Sequence, residues 1–253
     1  MEAITFINVD ASNVEETGVV CIKNKKAPGY RAKVNWFKQK CNEGLKIQIA
    51  QDEDENQLGF IEYIPSEQAW RPIQADNYLF IHCIATYAKK SRQQGIGSSL
   101  IDICEREARE QNKSGICVMA SKGAWIAEKT LFEKNGFVIV DKKGRFELLV
   151  KKIDKESPDP KFIDWETNLS IYQGWHILYA DQCPWHEKSV NDLLNAAMDF
   201  DIDLKVTQLT TPEEAQNAPT GYGTFALIYN GKLLEDHYIS ITRFLNILKK
   251  EMG

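Results

Sequence analysis

The sequence predicts an α/β protein in two domains: a mixed sheet of six to seven strands with flanking helices, then a smaller βαβαββα domain. Three observations predict it. Apolar, β-branched runs alternate with helical-period segments over residues 4–150. Mixed charge with Pro158 and Pro160 breaks that pattern over 151–168. A shorter and clearer series of the same kind follows from Trp175. The domains are accordingly 1–152 and 171–253, with 153–170 as connector.

The first domain opens with a strand over 4–9 and helical material to about residue 42. Alternation and β-branched content predict strands over 45–51, 58–64 and 78–86. A helix over 96–112 follows, with Ile96, Leu100, Ile103, Cys104 and Ala108 on one face. A strand over 116–120 leads to a helix ending at "EKNG", where Gly136 is the C-terminal stop. Strands over 137–141 and 146–150 complete the sheet. In the second domain "WHILYA" is a strand, and a helix with Pro184 in its first turn comes next. "LKVTQL" is a strand, "TTPEEA" starts a short helix, and "TFALIYN" and "KLLEDH" form a hairpin about the turn "NG". A helix from Ser240 ends the chain.

The formal net charge of −5 implies no general polyanion-binding surface, so nucleic acid is not an expected partner. No apolar run is long enough to span a bilayer, and the first nine residues do not read as a secretory leader. Six cysteines are scattered without a C-x-x-C, which predicts reduced thiols in a cytoplasm and no metal site.

One stretch asks for an explanation: "SRQQGIGSSLIDICERE", residues 91–107. Glycine costs a helix about 1 kcal/mol relative to alanine, yet Gly95 and Gly97 stand where a helix begins. The first N–H groups of a helix lack internal partners, and the helix dipole adds positive potential there. Glycines let a phosphate approach those groups, and Arg92 adds a formal charge. A tight strand-to-helix turn with no ligand would use the same glycines. The stretch is neither a Walker loop nor the three-glycine dinucleotide fingerprint.

Arg92-Gln93-Gln94-Gly95-Ile96-Gly97 resembles the R/Q-x-x-G-x-G/A motif of the GCN5-related N-acetyltransferases, and "LFEKNGF", residues 131–137, looks like that family's second landmark. The resemblance covers about residues 1–152. It implies acetyl-CoA as co-substrate, its pyrophosphate on the amides of Gln93, Gln94, Gly95, Ile96, Gly97 and Ser98 beside Arg92. It also implies that the strand before the loop parts from its neighbour, with Ile84, Ala85 and Thr86 near the thioester. Two positions depart from the family pattern. Phe132 stands where many members carry a proton-donating tyrosine, and Trp125 where an asparagine is often found.

A base for the incoming amine must come from elsewhere. Glu62 in "FIEYIP" and His82 in "LFIHCIAT" are the candidates, with a solvated strand position and a core histidine as their plain alternatives. Alternation puts Cys83 on the face opposite His82. Trp70 and Arg71 in "AWRP" are candidates to cover the acceptor pocket, or they pack a loop.

"CPWH" at the first strand-to-helix turn of the second domain resembles a thioredoxin or glutaredoxin fold. The resemblance implies a candidate reactive thiol, Cys183, with a lowered pKa at a helix N-terminus. His186 stands where a second cysteine would be, and Gly223 where the fold's cis-proline is expected. Taken together, the two halves look like the YoaP-like acetyltransferases of bacteria. The expected function is transfer of an acetyl group from acetyl-CoA to an amine of a small molecule or peptide by direct attack. A homodimer is left open. A monothiol redox protein using Cys183 and a non-catalytic CoA- or peptide-binding module are the alternatives.

Overall fold

Strands form where the apolar runs predict them, and their order in space is not their order in the chain. The computed structural model describes residues 4–19, 21–22, 24–87, 95–123 and 126–252. The chain divides into two units: Met1–Val20, Phe37–Ala69 and Ile73–Phe162 in the first, and Cys21–Trp36, Trp70–Pro72 and Ile163–Gly253 in the second. Two short segments that precede the expected connector thus pack with the C-terminal part of the chain.

The elements of the first half are β1 (Thr5–Val9), α1 (Val14–Thr17), α2 (Tyr30–Lys40), β2 (Lys46–Gln51), β3 (Gln57–Pro65), β4 (Ile73–Gln74) and β5 (Tyr78–Thr86). They continue with α3 (Ile96–Glu110), β6 (Gly115–Ser121), α4 (Thr130–Lys134), β7 (Val138–Lys143), β8 (Phe146–Lys152) and β9 (Lys161–Phe162). Seven strands make one mixed sheet in the order β1-β2-β3-β5-β6-β8-β7. Only β5 and β6 run parallel among its neighbouring strands. The remaining pair, β4 and β9, is a two-residue antiparallel ladder.

α3 lies on β3, β5 and β6. Its Ile96, Leu100, Ile101, Cys104 and Ala108 share a core with Ile61, Tyr63, Ile81, Ile84, Val118 and Ala120 of the sheet. Ile101 takes the buried place expected of Ile103, which is half-buried. α4 stops where the sequence says it should: Gly136 adopts φ +84°, and the Phe137 N–H returns to the Phe132 carbonyl at 3.1 Å.

The second unit contains β10 (Trp175–Tyr179), α5 (Trp185–Asp199), β11 (Leu204–Gln208), α6 (Pro212–Gln216), β12 (Phe225–Tyr229), β13 (Lys232–Glu235) and α7 (Ile241–Met252). Its sheet order is β11-β10-β12-β13, with β10 parallel to β11 and antiparallel to β12. A capping box starts α6: Thr211 Oγ1 accepts from the Glu214 N–H, and the Glu214 carboxylate accepts from the Thr211 N–H, both at 3.2 Å.

Candidate functional site

β5 and β6 part company midway. Their ladder runs from Tyr78↔Gly115 to Ile81↔Val118, yet β5 continues to Thr86 and β6 to Ser121. Beyond Ile81, β5 stays paired to β3 on its other edge, and β6 stays paired to β8. Among the described residues no strand pairs with the β6-facing edge of β5 over 83–86, where Ile84, Ala85 and Thr86 lie. Unpaired backbone groups on such an edge suit a ligand that carries amides of its own.

The chain then returns as α3, and Ile84 and Ile96 share one core, so the N-terminus of α3 lies at the end of β5 that has left β6. The two glycines there have different work. Gly95 is the N-cap, with φ +73°, a conformation an L side chain resists, and a Cβ on it would meet nothing within 4 Å. Gly97 is closely packed: its Cβ would sit 3.1 Å from Leu131 Cδ1, so Leu131 would have to shift by a few tenths of an ångström to admit one. No acidic residue occupies the first turn. The amides of Ile96, Gly97 and Ser98 thus begin a 15-residue helix with nothing negative among its own first residues. Arg92, Gln93, Gln94 and Trp125 lie outside the described residues.

Glu62 and His82 come together at the fork. Glu62 pairs with Cys83 and Tyr63 with Ile81, so His82 is the extra residue of a β-bulge in β5. His82 Nδ1 lies 3.4 Å from Glu62 Oε1, with both side chains fully buried. The bulge corrects the simple alternation: Ile81 and Ile84 both enter the core under α3, so Cys83 does not lie opposite His82 by strict two-residue period. Glu62, between Ile61 and Tyr63 of that core, faces the other side of the sheet. Phe132 is wholly buried in the core under α3 and meets Phe137 edge-on at 5.5 Å.

Trp70 and Arg71 are both buried and belong to the second unit. Trp70 packs edge-on to Trp36 at 5.3 Å, and the Arg71 guanidinium lies 4.8 Å over the Tyr222 ring. A Cβ on Gly223, at φ +78°, would stand 2.7 Å from the Trp70 carbonyl oxygen. Gly223 is the point where that segment presses on the loop before β12, which explains glycine there.

Within this unit Cys183 lies just before α5 and His186 in its first turn, and two cations the sequence did not associate with them act on both. Lys33 is fully buried, its Nζ 4.2 Å over the Trp36 ring. Cys183 is half-buried as a residue, but desolvation of its thiol pushes its pKa up to about 12, and Cys21 adds to the rise. The Trp185 N–H, Lys33 and Arg71 pull the other way and do not offset it. The lowered pKa expected at a helix N-terminus is overturned by burial. His186 is likewise not a source of positive charge: burial, then Arg71 and Lys33, depress its pKa to about 3 against the hydrogen bond to the Ala180 carbonyl. In the intact protein Cys183 should therefore label with iodoacetamide more slowly at pH 8 than the half-buried Cys83. Mass spectrometry of each cysteine checks this, and fast labelling of Cys183 at that pH would reject the enclosed thiol.

Among the described residues, no group of three or more histidine, cysteine or acidic side chains could hold a metal ion, and no helix is long and apolar enough to cross a membrane.

The described part of the chain thus holds a mixed sheet that parts between β5 and β6 and a helix, α3, with Gly95 as its N-cap. The YoaP-like family model matches residues 203–246. Across nearly the whole length, the chain is similar to the uncharacterized N-acetyltransferase YoaP of Bacillus subtilis (strain 168), at 28% identity over 251 residues, 96% of this chain and 98% of that one. Among solved structures, an acetyltransferase of the GNAT family from Staphylococcus aureus Mu50 aligns with 60% of this chain and 99% of its own, at 18% identity and a TM-score of 0.42. A GNAT family N-acetyltransferase (YhbS) from Escherichia coli, in complex with CoA, aligns with 65% of this chain and 92% of its own, at 11% identity and a TM-score of 0.40.

Proposed function

We propose that the chain is an N-acetyltransferase that moves the acetyl group of acetyl-CoA directly to an amine of a small molecule or peptide. The observation that carries the reading is the fork between β5 and β6, with the N-terminus of α3 at its open end and Glu62–His82 at its base. The likeness to YoaP over both halves of the chain supports it.

In this reading the amides of Gly95, Ile96, Gly97 and Ser98 hold the pyrophosphate, and Arg92, Gln93 and Gln94 complete the loop. The free edge of β5 at Ile84, Ala85 and Thr86 takes the amides of the pantetheine arm. A β5 backbone N–H steadies the oxyanion as the amine attacks. Glu62 accepts the amine's proton, and His82 passes it inward from the fork. No side chain needs to protonate the departing thiolate, since a thiol of pKa about 8.5 leaves readily without one. Phe132, sealed in the core, fits that economy. Cys183 and His186 have no part in this reading, and the βαβαββα order of their unit supports a thioredoxin-like accessory fold. Six free cysteines fit a cytoplasmic protein. A homodimer is compatible with this reading, and sedimentation of the full chain decides it.

Turnover of acetyl-CoA with an amine panel tests the activity, and a complete lack of acetylated product would reject it. The CoA site has its own test. Ser98→Glu places a carboxylate on the first turn of α3 and avoids the Leu131 contact that a side chain at Gly97 would make. CoA affinity should fall at least about tenfold, roughly 1.4 kcal/mol. Unchanged calorimetric affinity in the folded variant would move the site elsewhere.

A further inference from the structure

The second unit contains a cleft that the transferase chemistry does not use. Its volume is about 410 Å³, and Phe200, Ile202, Leu245, Leu248, Lys249 and Met252 line it. Phe200 is the C-cap of α5, and Ile202 lies in the turn that leads to β11. Leu245, Leu248, Lys249 and Met252 stand at i, i+3, i+4 and i+7 of α7, so they form one stripe along that helix. One wall is thus a turn and the other a helix face. Leu248 is buried and anchors the stripe, while Phe200 and Met252 are 56% and 58% exposed. Large apolar side chains left in water on both walls of one apolar cleft mark a place for a ligand.

Lys249 is the charged residue of the lining, and it decides the polarity of the ligand. Other charges of α7 are matched within the chain: Arg243 meets Glu235 at 2.7 Å, and Glu251 meets Lys232 at 3.1 Å. Among the described residues Lys249 has no such ion pair. A lysine lays its methylene stem along apolar surface and keeps its ammonium at the water's edge. Asp199, Asp201 and Asp203 neighbour the other wall in sequence but do not line the cleft. The cleft therefore offers an apolar body with a cationic rim on its α7 side.

We infer that this cleft binds a free medium-chain carboxylate, its alkyl chain against Phe200, Ile202, Leu245 and Leu248 and its head group beside Lys249. Size favours a small molecule over a second protein. Clefts for small ligands run from about 300 to 1,000 Å³. A stable protein interface takes about 20–30 residues a side, and six line this cleft. The site is independent of the transferase reading, since it borrows nothing from β5, α3 or the Glu62–His82 pair.

The experiment titrates the full chain with octanoate, butanoate, octan-1-ol and octylammonium, read by calorimetry and by methyl NMR. Octanoate should bind with a Kd below about 1 mM and at least about tenfold tighter than butanoate, because the longer chain buries more methylenes. It should lead octanol about threefold, as expected of one exposed ion pair, with octylammonium weakest. The methyl signals of Ile202, Leu245 and Met252 should move with the titration. Lys249→Gln should erase the lead of the acid and leave octanol binding unchanged. Met252→Glu should weaken octanoate more than octanol. Both positions are exposed in the last turn of α7, and if either variant loses that helix the four ligands on the unaltered protein still decide. Equal affinity for acid and alcohol, a lead for octylammonium, a lead that survives Lys249→Gln, or methyl shifts confined to other residues overturns the proposal. Self-association abolished by Phe200→Ser, with no octanoate binding, overturns it too and gives the cleft to a second copy of the chain.

Discussion

Glu62→Gln is expected to lower kcat by about 10²-fold or more while CoA affinity stays the same. The substitution keeps size and planarity inside a closed site, so it removes the ability to take a proton and little else. Glu62 is fully buried on β3, and His82 Nδ1 is 3.4 Å from its carboxylate. In this geometry the amine's proton reaches Glu62 through the imidazole that the bulge of β5 delivers to the fork. His82→Gln should therefore cost a similar factor. The double variant should cost little more than either alone, as expected of groups that act as a unit. The pyrophosphate site sits at the start of α3, so calorimetric CoA binding should survive in all three. Unaltered kcat for Glu62→Gln across the pH range would remove the pair from the mechanism. Additive losses in the double variant would instead mean that the two side chains act separately.

The parts of this site that are legible in sequence are those with local signatures. β5 was readable to the residue because "YLFIHCIAT" is an unbroken apolar and β-branched run. The start of α3 was readable because two glycines before an apolar stripe are rare without a reason. The reasons split only in three dimensions: Gly95 serves backbone conformation, and Gly97 serves the approach of Leu131. The bulge at His82 had no signal, since one extra residue in a strand leaves composition unchanged while it resets every later side chain. Lys33 and Arg71 could not be joined to Cys183 from sequence, because the contacts that join them bridge residues more than a hundred positions apart. The helix-terminus rule for cysteine was sound as far as it went. Burial is the larger effect, and burial is a property of the whole unit.

His186 should make the second unit sensitive to mild acid. Its Nδ1 hydrogen-bonds the Ala180 carbonyl at 2.8 Å, which places the proton on Nδ1 and leaves Nε2 as a bare acceptor. Among the described residues that Nε2 has no hydrogen-bond partner, and the ring is enclosed by Phe225, Tyr238 and Tyr222 at 5.4, 5.9 and 6.3 Å between centroids. Charging the ring would put a cation beside Arg71 and Lys33 with no water to solvate it, which is why its pKa falls from 6.5 to about 3. Above pH about 6.5 the ring is neutral whether the chain is folded or not, and stability is independent of it. As pH falls below that value the unfolded chain takes up a proton that the folded chain refuses, so stability drops by about 1.4 kcal/mol per pH unit at the steepest. The loss continues until pH nears the folded value of about 3. Between pH 6.5 and 4.5 it amounts to roughly 2–3 kcal/mol, before exposed carboxylates begin to titrate in number. His186→Asn keeps an N–H for the Ala180 carbonyl and cannot charge. The measurement is the urea midpoint, with hydrogen exchange of the α5 amides, at half-unit steps over that range. The unaltered protein should lose stability steeply and His186→Asn should stay nearly flat. Parallel slopes would mean that water already reaches His186, and that Lys33 and Arg71 are solvated in the unit that encloses Cys183.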